Sequence, residues 1–411
     1  MAGRVFDMQQ ERPVPRSTAS PILQLAGFVG LCLLVAAFNL RPALTSLATV
    51  LSEIQGTLRI NSFWAGILTT IPVLCFGVFG PLAPLLSARF GIEKAIFAMF
   101  VLLTAALGLR IIDSRLALLV STLAGGAAIG VVGVLLPVII RRDFSHRLGL
   151  MTGLYTMVLS VGGAVAAGFT PILERSVGSW NVALAAWCLP AVAAAILWGM
   201  FAARGDTAHK AGRLPRFSML FGDKTAWYVT GFMGLQAALA FIVLGWLPTL
   251  LRDRGIDVIN AGMITSLSIV AQTVTALLTP VLATRRLSAG KLVLAVLAAA
   301  LAGFMGLLYG PVATTPFWGL VLGLGQGGMF GLALLFISLR SPTSEAAAML
   351  SGMAQSIGYL GAALGPLAVS LLRDVGASTL GTAWLFAAIT IAGLWCGLQA
   401  ARPGSVRTRE A

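Results

Sequence analysis

The chain has 411 residues, of which 58% are hydrophobic and only 10% charged, and carries a formal net charge of +14. Ordinary globular chains hold about 25% charged residues, so this composition excludes a soluble domain and calls for a bilayer, where each helical crossing takes about 20 mostly apolar residues. The apolar runs are long and continuous, which excludes a β-barrel of short alternating strands, and the basic excess reads as loop charge that sets topology, with no aromatic-interleaved patch for nucleic acid.

In chain order, residues 1–21 form a polar tail without a cleavage pattern, expected to be cytoplasmic. Spans are expected at 22–48, 62–87, 94–112, 116–139, 148–173, 180–202, 226–250, 258–283, 291–309, 316–339, 346–372 and 380–400. The expected fold class is an all-α membrane protein of twelve transmembrane helices in two six-helix bundles, 22–202 and 226–400. Between them lies a cytoplasmic linker, 203–225, with Gly and Pro breaks and five Lys or Arg; a short tail, 401–411, closes the chain. With the N-terminus inside, 20 of the 28 Lys and Arg fall on that side and seven on the other, Arg110 among the seven. That split predicts cytoplasmic termini and a multi-pass protein of the bacterial inner membrane.

The two bundles repeat each other. Ala65-Gly66-Ile67-Leu68-Thr69-Thr70 matches Ala261-Gly262-Met263-Ile264-Thr265-Ser266, and the same offset pairs Pro84 with Pro280 and Arg89 with Arg285. Met151-Thr152-Gly153-Leu154 matches Leu350-Ser351-Gly352-Met353 at nearly that offset. Parallel repeats of this kind are what the two halves of a major facilitator transporter show, with substrate held near the midplane between them.

One charge stands inside a span. In Ala36-Ala37-Phe38-Asn39-Leu40-Arg41-Pro42-Ala43-Leu44-Thr45 the apolar residues continue to Leu51, so Arg41 is read as functional rather than as a side chain snorkelling to the interface. Its five donors suit a small planar anion or a polar ring. Pro42 cannot donate a backbone N–H, which leaves carbonyls near Phe38 free. Further candidates to line a central path are Thr69, Thr70 before Pro72, Tyr155, Gln236, Trp246 before Pro248, Gln272, Gln326, Gln355 and Tyr359. Each amide could equally be glue between helices; Gln355 and Tyr359, four apart, share a face. The Asp and Glu lie in tails, loops or span ends, and His146 and His209 in cytoplasmic segments. That leaves no proton relay within the spans and argues against an enzyme. Cys32, Cys75, Cys188 and Cys396 sit in apolar runs without disulfide or metal spacing. No cofactor and no metal are expected.

Asn39-Leu40-Arg41-Pro42 and Gly66-Ile67-Leu68-Thr69-Thr70-Ile71-Pro72-Val73-Leu74-Cys75-Phe76 resemble the cyanate / 2-nitroimidazole porter family of the major facilitator superfamily. So do Arg141-Arg142-Asp143-Phe144, Gly245-Trp246-Leu247-Pro248 and the stretch Ser351-Gly352-Met353-Ala354-Gln355-Ser356-Ile357-Gly358-Tyr359-Leu360. The resemblance implies alternating access for a small polar or anionic solute, with Asn39 and Arg41 near its path and Gln355 and Tyr359 facing it. One departure concerns the Gly-x-x-x-Asp-Arg-x-Gly loop of the wider superfamily: Ala88 stands where the Asp would be, before Arg89. The usual gate contact to that Asp must be absent or replaced.

The expected protein is a secondary transporter in which the two halves rock about a central site, with Pro42, Pro72, Arg89 and Pro248 as gating residues. An efflux pump for a toxic small molecule is the alternative. Its expected partners are a small-molecule substrate and the lipid bilayer, not nucleic acid; protons are kept as a candidate coupling ion, and a monomer is expected.

Overall fold

A computed structural model describes residues 21–203, 217–285, 287–376 and 378–406. The expected N-terminal tail, most of the linker and the end of the C-terminal tail lie outside the described residues. Every apolar run folds as helix, the one open-chain form that satisfies each backbone group within its own segment. Twelve helices are long and apolar enough to cross a membrane: spans one to six are Gly27–Thr49, Ser62–Phe90, Ile92–Leu109, Arg115–Asp143, Ser145–Val177 and Trp180–Ala202. Spans seven to twelve are Lys224–Asp253, Val258–Thr284, Ala289–Tyr309, Val312–Leu339, Glu345–Asp374 and Thr379–Ala401. They fall where the hydropathy pattern puts them, and no strand occurs among the described residues. Twelve crossings bring the chain in and out on one face, here the tail face; the opposite one is the far face.

Span one is two helices, Pro21–Asn39 and Pro42–Thr49, with Arg41 between them. Pro42 explains the break: it cannot donate to Phe38, and its fixed φ suits the first turn of a new helix. Span five supplies the complement. A Cβ at Gly162 would overlap the Phe38 carbonyl, and one at Gly163 would lie 3.1 Å from Cβ and Cδ of Arg41. The glycine pair thus lets two helix backbones touch at the point where span one opens.

Two large cores form. One holds spans one, three, four, five and six around Phe100, Leu135 and Trp198. The other holds the last six spans and also takes in Leu47, Val50, Leu51, Ile54, Ala65, Leu68, Leu118 and Trp180, all from the far-face ends of the first six. The two sets of six spans are therefore fused at the far face by a shared apolar core. Ion pairs and polar contacts line the same end: Arg252 pairs with Glu53 across the two sets, and the Ser62 N–H donates to Asp374 at 3.1 Å. Toward the tail face the last turns of span two, Ala83–Phe90, pack instead on spans three and four of their own set.

Several cations thought of as loop charge turn out to be structural. Arg340 caps span twelve, donating to the carbonyls of Ala400 (2.8 Å), Gly404 (3.2 Å) and Ala401 (3.2 Å). Arg115 donates to the Leu58 and Arg59 carbonyls. Arg110, expected in a far-face loop, is corrected to a buried position with 2% exposure, because the half-helix Pro42–Thr49 and span four close over it.

Gly162→Ala should lower the thermal midpoint of the purified protein, with a cost of about 1–3 kcal/mol as for other overpacked sites. Gly361→Ala, where a Cβ meets nothing within 4 Å, should leave it within error. Equal midpoints for the two variants would remove the close-approach role of Gly162.

Candidate functional site

The break in span one places Arg41 between the two helices at mid-span. Its aliphatic stem lies along Gly163. Its guanidinium makes no hydrogen bond or ion pair among the described residues, and Nη1 is buried without a partner. Tyr155 of span five and Tyr359 of span eleven stand within electrostatic range of it. Neither tyrosine hydroxyl is hydrogen-bonded among the described residues. Each set of six spans thus contributes one phenol beside one unsatisfied cation.

An aromatic cluster adjoins this group. Phe76 of span two, Phe241 of span seven and Tyr359 form a triangle with ring centroids 6.0, 6.1 and 6.2 Å apart, in tilted or edge-on arrangements. Phe241 also lines a cavity of about 20 Å³, with Ala43, Leu44, Leu68, Thr69 and Gly245 among its walls. That is room for about one water. It lies one helical turn beyond Arg41 toward the far face. On the tail-face side Gln355, one turn from Tyr359 on the same helix face, donates to Ser351 Oγ at 2.7 Å and is partly exposed. The arrangement offers a cation, two phenols, an amide and aromatic edges: donors for an anionic or acceptor edge, and ring surface for a flat body.

Against known proteins, the model of the Major Facilitator Superfamily matches residues 27–366. The chain belongs to that superfamily. Similar curated relatives are transporters. The uncharacterized transporter YycB of Bacillus subtilis is 39% identical over 87% of this chain and 89% of its own length. The 2-nitroimidazole transporter and the cyanate transport protein CynX of Escherichia coli are each 30% identical over 89% of this chain and 94% of theirs. A bacterial homologue of the human lysosomal transporter Spinster, in an inward-facing and unoccupied conformation, shares the fold at TM-score 0.74 and 16% identity, over 93% of this chain and 98% of that one. The protein is a multi-pass membrane transporter of the Major Facilitator Superfamily.

This superfamily member brings only some of the expected residues together. Arg41, Tyr155 and Tyr359 lie within electrostatic range of one another, with Thr69 on the adjoining cavity and Gln355 one turn from Tyr359. Thr69 donates to its own helix at Ala65, and its Cβ would lie 3.1 Å from a Cβ at Gly245; Thr70 Oγ1 is buried without a partner. The others are engaged elsewhere. Asn39 is 2% exposed, and its amide donates to Val35 at 2.8 Å and Pro190 at 3.0 Å, tying span one to span six. Gln272 donates to Gln326 at 2.9 Å, and Gln326 to the Leu239 carbonyl at 3.3 Å, a chain that joins spans eight, ten and seven. Gln236 donates to Met233 within its own helix. Trp246 is fully buried in the far-face core and donates to Pro366 at 3.1 Å, which makes it a packing residue rather than a wall of the site.

Among the expected gating residues, Pro42 coincides with a break. Pro72 and Pro248 lie inside continuous helices. Arg89 is exposed and stacks on its neighbour Phe90 at 5.3 Å. Close to the loop that lacks the aspartate, Arg142 of span four pairs with Glu93 of span three at 2.7 Å, a contact within the first six spans. Sequence reasoning missed Phe76, Phe241, Gly162 and Gly163. Aromatics in an apolar run look like core, and only the position of Gly162-Gly163 opposite Pro42 distinguishes that pair from other small residues.

Asn39→Ala should lower thermal stability by about 1 kcal/mol, because it removes the amide hydrogen bonds to Val35 and Pro190 that tie span one to span six, while transport KM stays near wild type. Tyr359→Phe should do the reverse. Parallel melting and uptake measurements on the two variants check this pairing.

Proposed function

We propose that the protein is a secondary transporter that carries a small anionic or compact planar polar solute by rocking of its two halves, 22–202 and 226–400, about Arg41. The buried, unpartnered guanidinium at the Pro42 break carries this reading. An intramembrane charge is expensive and is kept where it does work. Arg41 also caps the positive end of the half-helix Pro42–Thr49, and broken helices present such ends to anionic groups of substrates. Tyr155, Tyr359 and Gln355 complete the donors, and Phe76 and Phe241 supply ring surface. The names of the two Escherichia coli relatives agree in kind, one solute being a three-atom anion and the other a small planar ring.

The loop charges support placing the tail face in the cytoplasm of a bacterial cell. The far face, sealed by the shared core and by Glu53–Arg252, is then the external one. The carboxylates among the described residues stand at span ends, so coupling to protons would use an end group such as Glu93 or Glu53.

In a thermal screen of the purified protein, a saturating ligand raises stability with the logarithm of its concentration, about 2.7 kcal/mol at 100 times its Kd. Cyanate or another small anion should stabilise the wild type and not Arg41→Ala, which should insert normally and lose uptake in proteoliposomes. Wild-type transport by Arg41→Ala would remove the anchoring role, and stabilisation by bulky apolar compounds alone would favour efflux of such compounds instead.

A further inference from the structure

Arg110 directly follows span three and is 2% exposed, one of the largest fully buried side chains of the protein. Its Nε donates to Ser121 Oγ of span four at 2.9 Å, and its Nη2 to the Ala43 carbonyl of span one at 3.0 Å. Nη1 is buried with no partner. No carboxylate pairs with it among the described residues, whereas its far-face counterparts Arg252 and Arg373 are neutralised by Glu53 and Asp253. Burying a guanidinium without a counter-charge costs several kcal/mol by general estimates. Arg340 and Arg115 also cap carbonyls without a carboxylate, but Arg340 meets three carbonyls and Arg115 is exposed, whereas Arg110 is 2% exposed with one carbonyl, one hydroxyl and Nη1 unpartnered.

Its location suggests what the charge is for. Ala43 and Thr122, the neighbour of Ser121, both line the small cavity that lies beyond Arg41 toward the far face. Arg110 therefore stands behind that wall, with the Ala43 carbonyl as the acceptor on its Nη2. Ala43 belongs to the half-helix Pro42–Thr49, which the break at Arg41 separates from the rest of span one. Two cations without a carboxylate partner among the described residues thus flank this cavity, Arg41 on its tail-face side and Arg110 behind the wall on the other.

We propose that Arg110 is a second anion-binding residue of the transport path, which takes the solute on the far-face side when the half-helix Pro42–Thr49 moves and withdraws the Ala43 carbonyl. The inference rests on the anion reading of Arg41 and sharpens it. Two stations that each lack a counter-charge are relieved by a negative solute and not by a neutral ring, so the preferred cargo is a small anion. The Ala43 carbonyl holds the place of that anion while the far face is sealed.

The test is sided uptake of labelled cyanate and of neutral 2-nitroimidazole, in right-side-out and inverted vesicles, by wild type, Arg110→Gln and Arg41→Ala. Arg110→Gln should raise the cyanate KM for entry from the far face about tenfold, with tail-face entry and any 2-nitroimidazole uptake within about twofold of wild type. An unchanged far-face KM overturns the proposal, as does an equal rise on both faces or for both solutes, which marks a purely structural clamp. Should Arg110→Gln not fold, Arg110→Lys keeps the charge without the fork. A far-face cyanate KM within about threefold of wild type then supports the charge role, and an equal loss for both solutes overturns it. Arg41→Ala separates the two readings: if it fails on both faces while Arg110 variants behave as wild type, only the second site falls. If Arg41→Ala transports normally, or wild type takes up no cyanate, the anion reading falls with it.

Discussion

The candidate site depends on one electrostatic term, the Arg41 guanidinium held inside a span with no counter-ion among the described residues. A cation there is tolerated only if its surroundings are rigid enough to keep it from snorkelling to water and open enough to let a ligand reach it. Pro42 interrupts the helix so that the side chain leaves the backbone at mid-span. Gly162 and Gly163 let span five lie directly against that interruption. Asn39, with both amide donors bound to Val35 and Pro190, fixes the helix on the other side of it. Tyr155 and Tyr359 then stand within electrostatic range of the charge, one from each half.

How much of this was legible in the sequence follows from the kind of signal each residue leaves. The spans were readable because bilayer thickness imposes a length on apolar runs, and no tertiary contact can counterfeit twelve of them. Arg41 was readable because a lone charge in such a run has few innocent explanations. The uncharged polar residues were not. An amide inside a span must find a partner, and Gln272 finds Gln326 as readily as it would find a solute; the sequence is the same in both cases. Trp246 was misleading for a related reason: an aromatic beside a proline resembles a wall of a site, yet its indole N–H is spent on Pro366 in the far-face core.

Arg110 shows a different limit. Counting loop cations treats each one as hydrated, because the count knows only where a span ends. Whether the end of span three is covered depends on how the half-helix of span one and the start of span four sit over it, and that is a property of packing between segments distant in the chain. The same blindness hid Phe76 and Phe241. Each is one more apolar residue in its own helix, and they become a feature only because spans two, seven and eleven converge. By contrast, the exchange of a loop aspartate for Ala88 is visible in sequence, while the nearby Glu93–Arg142 tie between spans three and four appears only once those spans are packed.

The apolar core shared by both halves at the far face has a thermal consequence. Any opening of that face must wet side chains such as Leu47, Leu51, Leu68, Leu247 and Leu251, which are now packed together. Exposure of apolar surface to water carries a positive heat-capacity change. Under the alternating access proposed above, the balance between two access states would then be curved in temperature, in the manner of a partial unfolding. Cooling weakens the cohesion that seals the far face, so the resting orientation under that proposal would shift with temperature even with no solute present.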